Sequence, residues 1–133
     1  MAKIQLGPYI NFQGQAREAM QFYQSVLGGN LNLQTSAGQG GSGSAADEDR
    51  IMYARLDADM GVIIGVDGYP ATAGDNIAIG LGGTDEDQLT RIFTSLAEGG
   101  QIKMPLSEQP GGVSIGYLVD KFGITWAVSI NKG

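Results

Sequence analysis

The chain has 133 residues, of which 14 are acidic and 8 are basic, and its formal net charge is −6 at pH 7. This length and a hydrophobic content of 42% are typical of one globular domain with a buried core. The basic residues are scattered, no apolar run approaches the roughly 18 residues of a membrane span, and the N-terminus shows no signal-peptide pattern, so we expect a cytoplasmic protein with neither nucleic-acid nor membrane partners.

The first half of the chain predicts one strand, one helix and three further strands. The predicted elements are a strand at 4–12, a helix at 16–27, and strands at 31–34, 50–56 and 62–66, with a hairpin turn at 57–61. The strand at 50–56 alternates, which predicts one face with Ile51, Tyr53 and Arg55 and an opposite face with Met52, Ala54 and Leu56. Gly28 and Gly29 end the helix, because glycine adopts a left-handed cap conformation without steric cost. A glycine- and serine-rich stretch at 37–49 predicts a mobile loop between two strands.

The second half repeats this order of elements. The predicted elements are a strand at 76–81, a helix that starts at Thr84 and continues to Leu96, and strands at 102–106, 113–118 and 124–130. We expect Thr84 to be the N-cap, with acidic residues in the first helical turn. Phe22 and Phe93 each precede a Gly-Gly pair by six residues, so we expect both rings, and that of Tyr23, in the core.

Two matching halves predict a duplicated module. The chain is therefore expected to form a single α+β domain, 1–133, that contains two βαβββ modules at about 4–68 and 75–131. A period near 70 residues is too long for a solenoid repeat.

Two motifs stand near the ends of the chain. The first comprises residues 9–12, 16–20, 22–23 and 26–29, and the second covers residues 120–126. Together they resemble the PhnB-like branch of the glyoxalase/bleomycin-resistance/dioxygenase (vicinal oxygen chelate) superfamily. The second motif is similar to an Asp-Pro-Phe-Gly-x-x-Trp signature of that branch, with Lys121 in place of the proline.

The resemblance implies a fold and a set of positions for metal ligands. The implied fold pairs the two modules into a curved mixed sheet with a cleft, in a protein that is usually a homodimer. Many members hold a divalent metal there, through His, Glu or Gln on the first and last strands of each module. The matching positions here are Pro8, Asn76, Ala127 and one of the pair Ile64/Gly65. Since these residues cannot supply converging carboxylates or imidazoles, we expect no metal and no cofactor.

The residue inventory limits the chemistry further. Cysteine and histidine are absent, which excludes thiol catalysis and leaves carboxylates, tyrosines, lysines or backbone dipoles for any reaction. The acidic stretch 47–49 lacks the spacing of a calcium loop, and residues 38–43 lack the Gly-Lys-Ser/Thr of a phosphate loop. Both are expected to be solvated loop segments.

Five residues on predicted strands are candidates for ligand contact. Tyr9 and Asn11 share one face of the first strand by their spacing of two, and Tyr53 and Tyr117 lie on later strands. Such residues either line an apolar cleft with a few polar groups or pack at a dimer interface. Trp126 either packs in the core or stacks on an apolar ligand in the cleft.

The resemblance, together with ligand positions that cannot hold a metal, implies a metal-free protein that binds a small amphipathic ligand in the cleft of a homodimer, as sequestering members of the superfamily do. The alternatives are a lyase or isomerase, with or without metal, and a module whose cleft is filled by its own side chains. No catalytic residue is assigned. Some PhnB-like chains are named for demethylubiquinone methyl transfer, but no glycine-rich nucleotide loop follows a strand in this sequence.

Overall fold

A computed structural model describes residues 6–35, 50–68, 74 and 76–131. The chain divides into two compact units, Met1–Thr72 and Ala73–Gly133. Each unit contains its own four-stranded sheet and its own helix, and we call them module one and module two. Neither described helix is long and apolar enough to cross a membrane.

Module one has the predicted order of strand, helix and three strands. Its elements are β1 (Tyr9–Asn11), α1 (Ala16–Leu27), β2 (Asn30–Thr35), β3 (Ile51–Ala58) and β4 (Gly61–Val66). The strands lie in the order β1-β4-β3-β2, with β1 parallel to β4 and the other pairs antiparallel.

The core of module one forms where α1 packs on one face of this sheet. The buried stripe of the helix is Ala16, Ala19, Met20, Tyr23 and Leu27. Gly65 on β4 is required by this packing, because a Cβ there would lie 2.8 Å from the sulfur of Met20 and 2.9 Å from the Phe12 ring. The helix therefore approaches the sheet closely at this point.

The alternation predicted for β3 is correct from Tyr53 onward and wrong for the two residues before it. Ala54 and Leu56 are buried, as one face of the strand should be. Ile51, predicted on the face of Tyr53 and Arg55, is fully buried, whereas Met52, predicted on the face of Ala54 and Leu56, is exposed. The pairing with β2 shifts register between Gln34 and Thr35, and such a bulge reverses the face of the residues beyond it.

A carboxylate from outside the helix caps α1. The N-cap residue, Gln15, makes no side-chain capping bond. Instead Oδ1 of Asp67, just after β4, accepts hydrogen bonds from the backbone N–H groups of Gly14 at 2.7 Å and Ala16 at 2.9 Å. Its Oδ2 accepts a third from the N–H of Ile51 at 3.1 Å. Asp67 thus joins the start of α1, the start of β3 and the end of β4.

Module two repeats the architecture. Its elements are β5 (Ile79–Gly83), α2 (Glu86–Ala97), β6 (Gln101–Gln109), β7 (Val113–Val119) and β8 (Thr125–Asn131). The strand order β5-β8-β7-β6 and the single parallel pair, β5 with β8, match module one. The α+β class and the two βαβββ modules predicted from the sequence are confirmed, whereas their union in one domain stays a prediction.

The core of module two lies between α2 and the matching face of its sheet. The buried helix residues are Leu89, Ile92, Phe93 and Leu96, and the buried strand residues include Leu118, Trp126, Val128 and Ile130. The helix begins one residue later than predicted. Asp85, rather than Thr84, is the N-cap, and its carboxylate accepts a hydrogen bond from the N–H of Gln88 at 3.1 Å.

The two Gly-Gly pairs occupy equivalent places, as the repeat predicts. A Cβ on Gly29 would lie 2.2 Å from the carbonyl oxygen of Asp57, and one on Gly100 would lie 2.2 Å from that of Val119. In each module the second glycine therefore allows the strand after the helix to start against the end of the third strand.

Phe22 and Phe93, which the sequence aligned by their distance from the glycine pairs, are not equivalent positions of the two helices. Phe93 and Tyr23 are buried, but Phe22 is only half-buried and packs beside Tyr23 with ring centroids 5.8 Å apart. The helices end differently: the N–H of Gly28 bonds four residues back, whereas that of Glu98 bonds three residues back. The tighter final turn of α2 adds a residue before its glycines, so Tyr23 is the counterpart of Phe93.

Candidate functional site

Each sheet has one face against its helix and a second face that we call the open face. Strand pairing assigns residues to it: Ile64 pairs with both Tyr9 and Arg55, and Arg55 pairs with Asn32. These four residues form one row across the open face of module one, because paired residues point to the same side of a sheet. Along this row, β1 and β4 contribute an aromatic and an aliphatic side chain, whereas β3 and β2 contribute a charged and an amide side chain.

Three polar side chains of β3 lie in line on this open face. Tyr53, Arg55 and Asp57 are spaced by two residues and are all partly exposed. The Nε of Arg55 donates to Oδ2 of Asp57 at 2.9 Å and to Oδ1 at 3.1 Å. Hydrogen bonds with Asp57 first and Tyr53 second raise the pKa of Arg55 above its usual value, so the guanidinium stays charged at any working pH. We call these three residues the Arg55 cluster.

Tyr9 and Asn11 also lie on the open face of module one, as their spacing predicts. Tyr9 is largely exposed. The side-chain oxygen of Asn11 accepts hydrogen bonds from the backbone N–H groups of Gln13 at 3.0 Å and Gly68 at 3.1 Å. Asn11 therefore fixes the turn into α1 and the segment after β4, while the ring of Tyr9 is exposed to solvent.

The corresponding row on the open face of module two carries no charge. Ala127 pairs with both Gly80 and Tyr117, and Tyr117 pairs with Met104, which gives the row that corresponds to the one in module one. A Cβ on Gly80 would meet nothing within 4 Å. Of the five candidate residues, Tyr117 lies on this face, between Ala127 and Met104.

The structure places Trp126 away from both open faces. Its side chain is fully buried on the helix side of module two, and its Nε1 donates a hydrogen bond of 2.9 Å to Oδ2 of Asp120. Of its two interpretations, the structure therefore shows core packing, and the ring is not available to a ligand on the open face. Alternation agrees with this placement, since Trp126 shares its face of β8 with Val128 and Ile130, whereas the opposite face carries Thr125, Ala127, Ser129 and Asn131.

The residues at the family's ligand positions do not fit a metal ion. On the open faces, the facing pairs of first and last strands are Tyr9 with Ile64 and Gly80 with Ala127. The sequence aligned Pro8 and Asn76 with the first-strand positions, and both lie outside those strands: Pro8 directly precedes β1, and Asn76 is exposed at a bend three residues before β5. Within the described segments, no three His, Cys, Asp or Glu side chains gather in a way that could hold a metal.

The sequence interpretation missed the Arg55 cluster as a site. It placed Tyr53 and Arg55 on the same face of β3, and the signal was therefore present. It did not include Asp57, which it assigned to the hairpin turn, whereas β3 extends to Ala58. The acidic stretch 47–49 and the glycine-rich stretch 38–43 lie outside the described residues.

Known proteins similar to this chain place it in a family. A family described as 3-demethylubiquinone-9 3-methyltransferase matches residues 4–129. Protein PA1353 from Pseudomonas aeruginosa is 34% identical, with a TM-score of 0.81 over 97% of this chain and 98% of that one. Protein YjdN from Escherichia coli (strain K12) is 26% identical over 96% of this chain and 95% of its own length.

Two further structures share the fold. A putative 3-demethylubiquinone-9 3-methyltransferase, PhnB protein, from Bacillus cereus is 24% identical, with a TM-score of 0.73 over 97% of this chain and 99% of that one. A glyoxalase-related enzyme from Fulvimarina pelagi is 17% identical, with a TM-score of 0.64 over 96% and 88%. The chain belongs to the family described as 3-demethylubiquinone-9 3-methyltransferase, and it shares its fold with a PhnB protein and a glyoxalase-related enzyme.

Proposed function

We propose that this chain is a metal-free small-molecule-binding protein that acts as a homodimer and holds an amphipathic ligand against its open sheet faces. The observation that carries the proposal is the nature of the two facing pairs, Tyr9 with Ile64 and Gly80 with Ala127. A phenol, an aliphatic chain, a hydrogen and a methyl group offer a ligand apolar contact rather than metal coordination.

The candidate residues fit this proposal unequally. Tyr9, Tyr53 and Tyr117 lie on open faces and are at least partly exposed, so their rings can contact a ligand. Asn11 supports the site through its turn-holding bonds. Methyl transfer, the activity in the family's description, is not proposed, because the sequence carries no glycine-rich nucleotide loop between a strand and a helix.

A thermal-shift screen tests the proposal. Amphipathic aromatic compounds, cations and glycopeptides should include some that raise the melting temperature, because a ligand that binds only the folded state stabilises it by mass action. Metal analysis of protein purified without chelators is the second arm. Near-stoichiometric zinc, nickel, manganese or iron, or the absence of any stabilising compound, would contradict the proposal.

The Arg55 cluster favours a second candidate, a metal-independent lyase or isomerase. Tyr53 and Arg55 are hydrogen-bonded neighbours on the open face, and a phenol beside a guanidinium can donate to the oxygen of a developing enolate. The test is proton exchange in deuterated water with simple α-hydroxy ketones, followed by NMR. Exchange that Tyr53→Phe abolishes supports the enzyme, and exchange equal to that without protein excludes it for these substrates.

A further inference from the structure

Asp67 and Gly68 form the only Asp-Gly pair in the sequence, and the sequence contains no Asn-Gly pair. In an Asp-Gly pair the backbone nitrogen of the glycine can attack the side-chain carboxyl carbon of the aspartate and close a cyclic imide, a succinimide. Glycine allows this attack most readily, because it has no Cβ to hinder the approach. The bond between Asp67 and Gly68 is therefore the place in this chain where cyclisation is chemically easiest.

The folded chain engages both of the groups that would react. The N–H of Gly68 donates to the side-chain oxygen of Asn11 at 3.1 Å. Oδ1 of Asp67 accepts from two N–H groups at the start of α1, and Oδ2 accepts from one at the start of β3. Cyclisation removes the proton of the Gly68 N–H and expels one carboxyl oxygen. Whichever oxygen leaves, the reaction breaks the bond to Asn11 and leaves at least one of the three other N–H groups without its acceptor.

Arg50 also holds this peptide. Its Nε donates to the carbonyl oxygen of Asp67 at 2.6 Å, and its Nη2 donates to that of Gly68. The N–H of Asp67 donates in turn to the carbonyl oxygen of Ile51 at 2.8 Å. These bonds fix the main chain before and after the reacting nitrogen, so a change in the main-chain torsions of Asp67 requires local opening of the structure.

We propose that Asp67–Gly68 is a latent modification site, which forms isoaspartate through a succinimide when this region opens, and that the hydrogen bond from Gly68 to Asn11 holds the site closed in the folded chain. A bond forms between the Gly68 nitrogen and Cγ of Asp67, and the hydroxyl of the protonated carboxyl leaves with the amide proton as water. Water then adds to the imide. Attack at Cγ restores aspartate, whereas attack at the main-chain carbonyl carbon gives isoaspartate, an isomer that needs no oxidant or reductant.

Isoaspartate would remove the cap that Asp67 provides for α1. The main chain would run through Cγ and gain one carbon, and the free carboxylate would be attached directly to Cα. A lengthened main chain and a shorter carboxylate stem do not match the three N–H groups that Asp67 bonds, so the modified chain should melt at a lower temperature. The site lies between the end of β4 and the start of α1, and it does not depend on the ligand proposed for the open faces.

A comparison of the folded and the urea-unfolded wild-type chain tests the site. Both are incubated at neutral pH, isoaspartate is counted by enzymatic methylation, and electron-transfer fragmentation of the tryptic peptide 56–91 locates it. A reaction that requires local opening runs at the unfolded rate multiplied by the open fraction. Because cyclisation breaks at least two hydrogen bonds, the folded chain should convert more slowly by about tenfold or more.

Variants of Asn11 test its protective role. Asn11→Ala removes the acceptor of the Gly68 N–H, so the folded variant should convert about fivefold faster than the wild type. Asn11→Asp keeps an acceptor oxygen and should convert at the wild-type rate. Asn32→Ala, the matched control at an exposed position of β2, should also leave the rate unchanged. Melting temperatures identify folded variants, and slow amide exchange of Gly68 in the wild type, measured by NMR, checks the same bond without a substitution.

Gly68→Ala identifies the reacting pair. An added Cβ would lie 3.6 Å from Nδ2 of Asn11, an ordinary contact, so the variant should fold, and its unfolded chain should form several-fold less isoaspartate. Absence of isoaspartate at Asp67 in the unfolded wild type would overturn the site. Equal rates in the folded and unfolded wild type, equal rates in folded Asn11→Ala and Asn32→Ala, or unprotected amide exchange at Gly68 would overturn the protection.

Discussion

Asp67 illustrates how one side chain can hold a module together. Its buried carboxylate accepts hydrogen bonds from three backbone N–H groups on two segments, two at the start of α1 and one at the start of β3. Asp67→Ala would leave these donors without their acceptor, and we expect a loss of about 3 kcal/mol in the free energy of unfolding. Asp67→Asn keeps one acceptor oxygen but places an amide N–H₂ near a backbone donor, so its cost should be smaller.

Urea denaturation of the two variants measures this effect. Asp59→Asn is the control, because Asp59 is exposed in the turn between β3 and β4 and its change should stay within about 0.5 kcal/mol. A loss for Asp67→Ala no larger than that of the control would show that the capping role inferred for the carboxylate is wrong.

Lys121 stands where the related signature has proline, and the turn around it explains why both residues fit. The N–H of Gly123 donates to the carbonyl of Asp120 at 2.9 Å, which makes Lys121 the second residue of a β-turn. Proline is favoured at that position because its fixed φ matches the turn. Lys121→Pro should therefore raise the free energy of unfolding by about 0.5 kcal/mol, through a smaller entropy of the unfolded chain.

Chemical denaturation of Lys121→Pro beside Ser129→Pro checks this expectation. Ser129 lies in β8, which pairs with β5 on one side and β7 on the other, so proline there removes a donor from the middle of the sheet and this control should be destabilised. If Lys121→Pro loses as much stability as Ser129→Pro, the turn does not accept proline and the assignment of its second position is incorrect.

At the scale of elements, periodicity predicted the strands and helices well and their ends less well. The stripes of α1 and α2 and the alternation in β3 follow from burial on one side, which sequence records directly. The start of β5 was placed three residues early, at Asn76, because strand limits depend on the pairing partner, here β8. The bulge that buries Ile51 likewise depends on β2 and leaves no local pattern.

The junction between α2 and β6 gives a prediction about an element. Gly100 brings the start of β6 against the end of β7, where an added Cβ would lie 2.2 Å from the carbonyl oxygen of Val119 and 2.8 Å from the carbonyl carbon of Asp120. Both contacts are with backbone, which cannot move without disturbing the strand pair. Gly100→Ala should cost about 3 kcal/mol of unfolding free energy, the upper range for overpacking.

Gly80→Ala is the matched control for this substitution. Gly80 lies within β5, where an added Cβ meets nothing within 4 Å. Alanine there restricts the unfolded chain and should leave the stability unchanged or raise it by up to about 1 kcal/mol. Equal stabilities of Gly100→Ala and Gly80→Ala, measured by urea denaturation, would contradict the close approach at Gly100.

At the scale of the whole molecule, duplication preserved the architecture and let the two open faces diverge. Strand order, register of the first and last strands, and the glycine contacts agree between modules. The open-face rows do not, because Arg55 and Asn32 correspond to Tyr117 and Met104. Sequence could predict the repeat, whose core positions are constrained by packing. Alternation along β8 also favours the core for Trp126, which shares a face with Val128 and Ile130, but it could not predict that the ring would bond to Asp120.

The homodimer is the remaining whole-molecule prediction. Large apolar side chains are strongly exposed in the single chain, among them Leu6 at 99% and Ile77 at 80%. Burial of such groups against a second copy is favourable by about 25 cal/mol for each Å² removed from water.

Light scattering coupled to gel filtration should therefore give twice the mass of the chain. Leu6→Ser with Ile77→Ser should shift the mass toward the monomer, while Thr94→Ala, on the exposed side of α2, should not. A wild-type chain that elutes as a monomer at micromolar concentration would contradict this prediction.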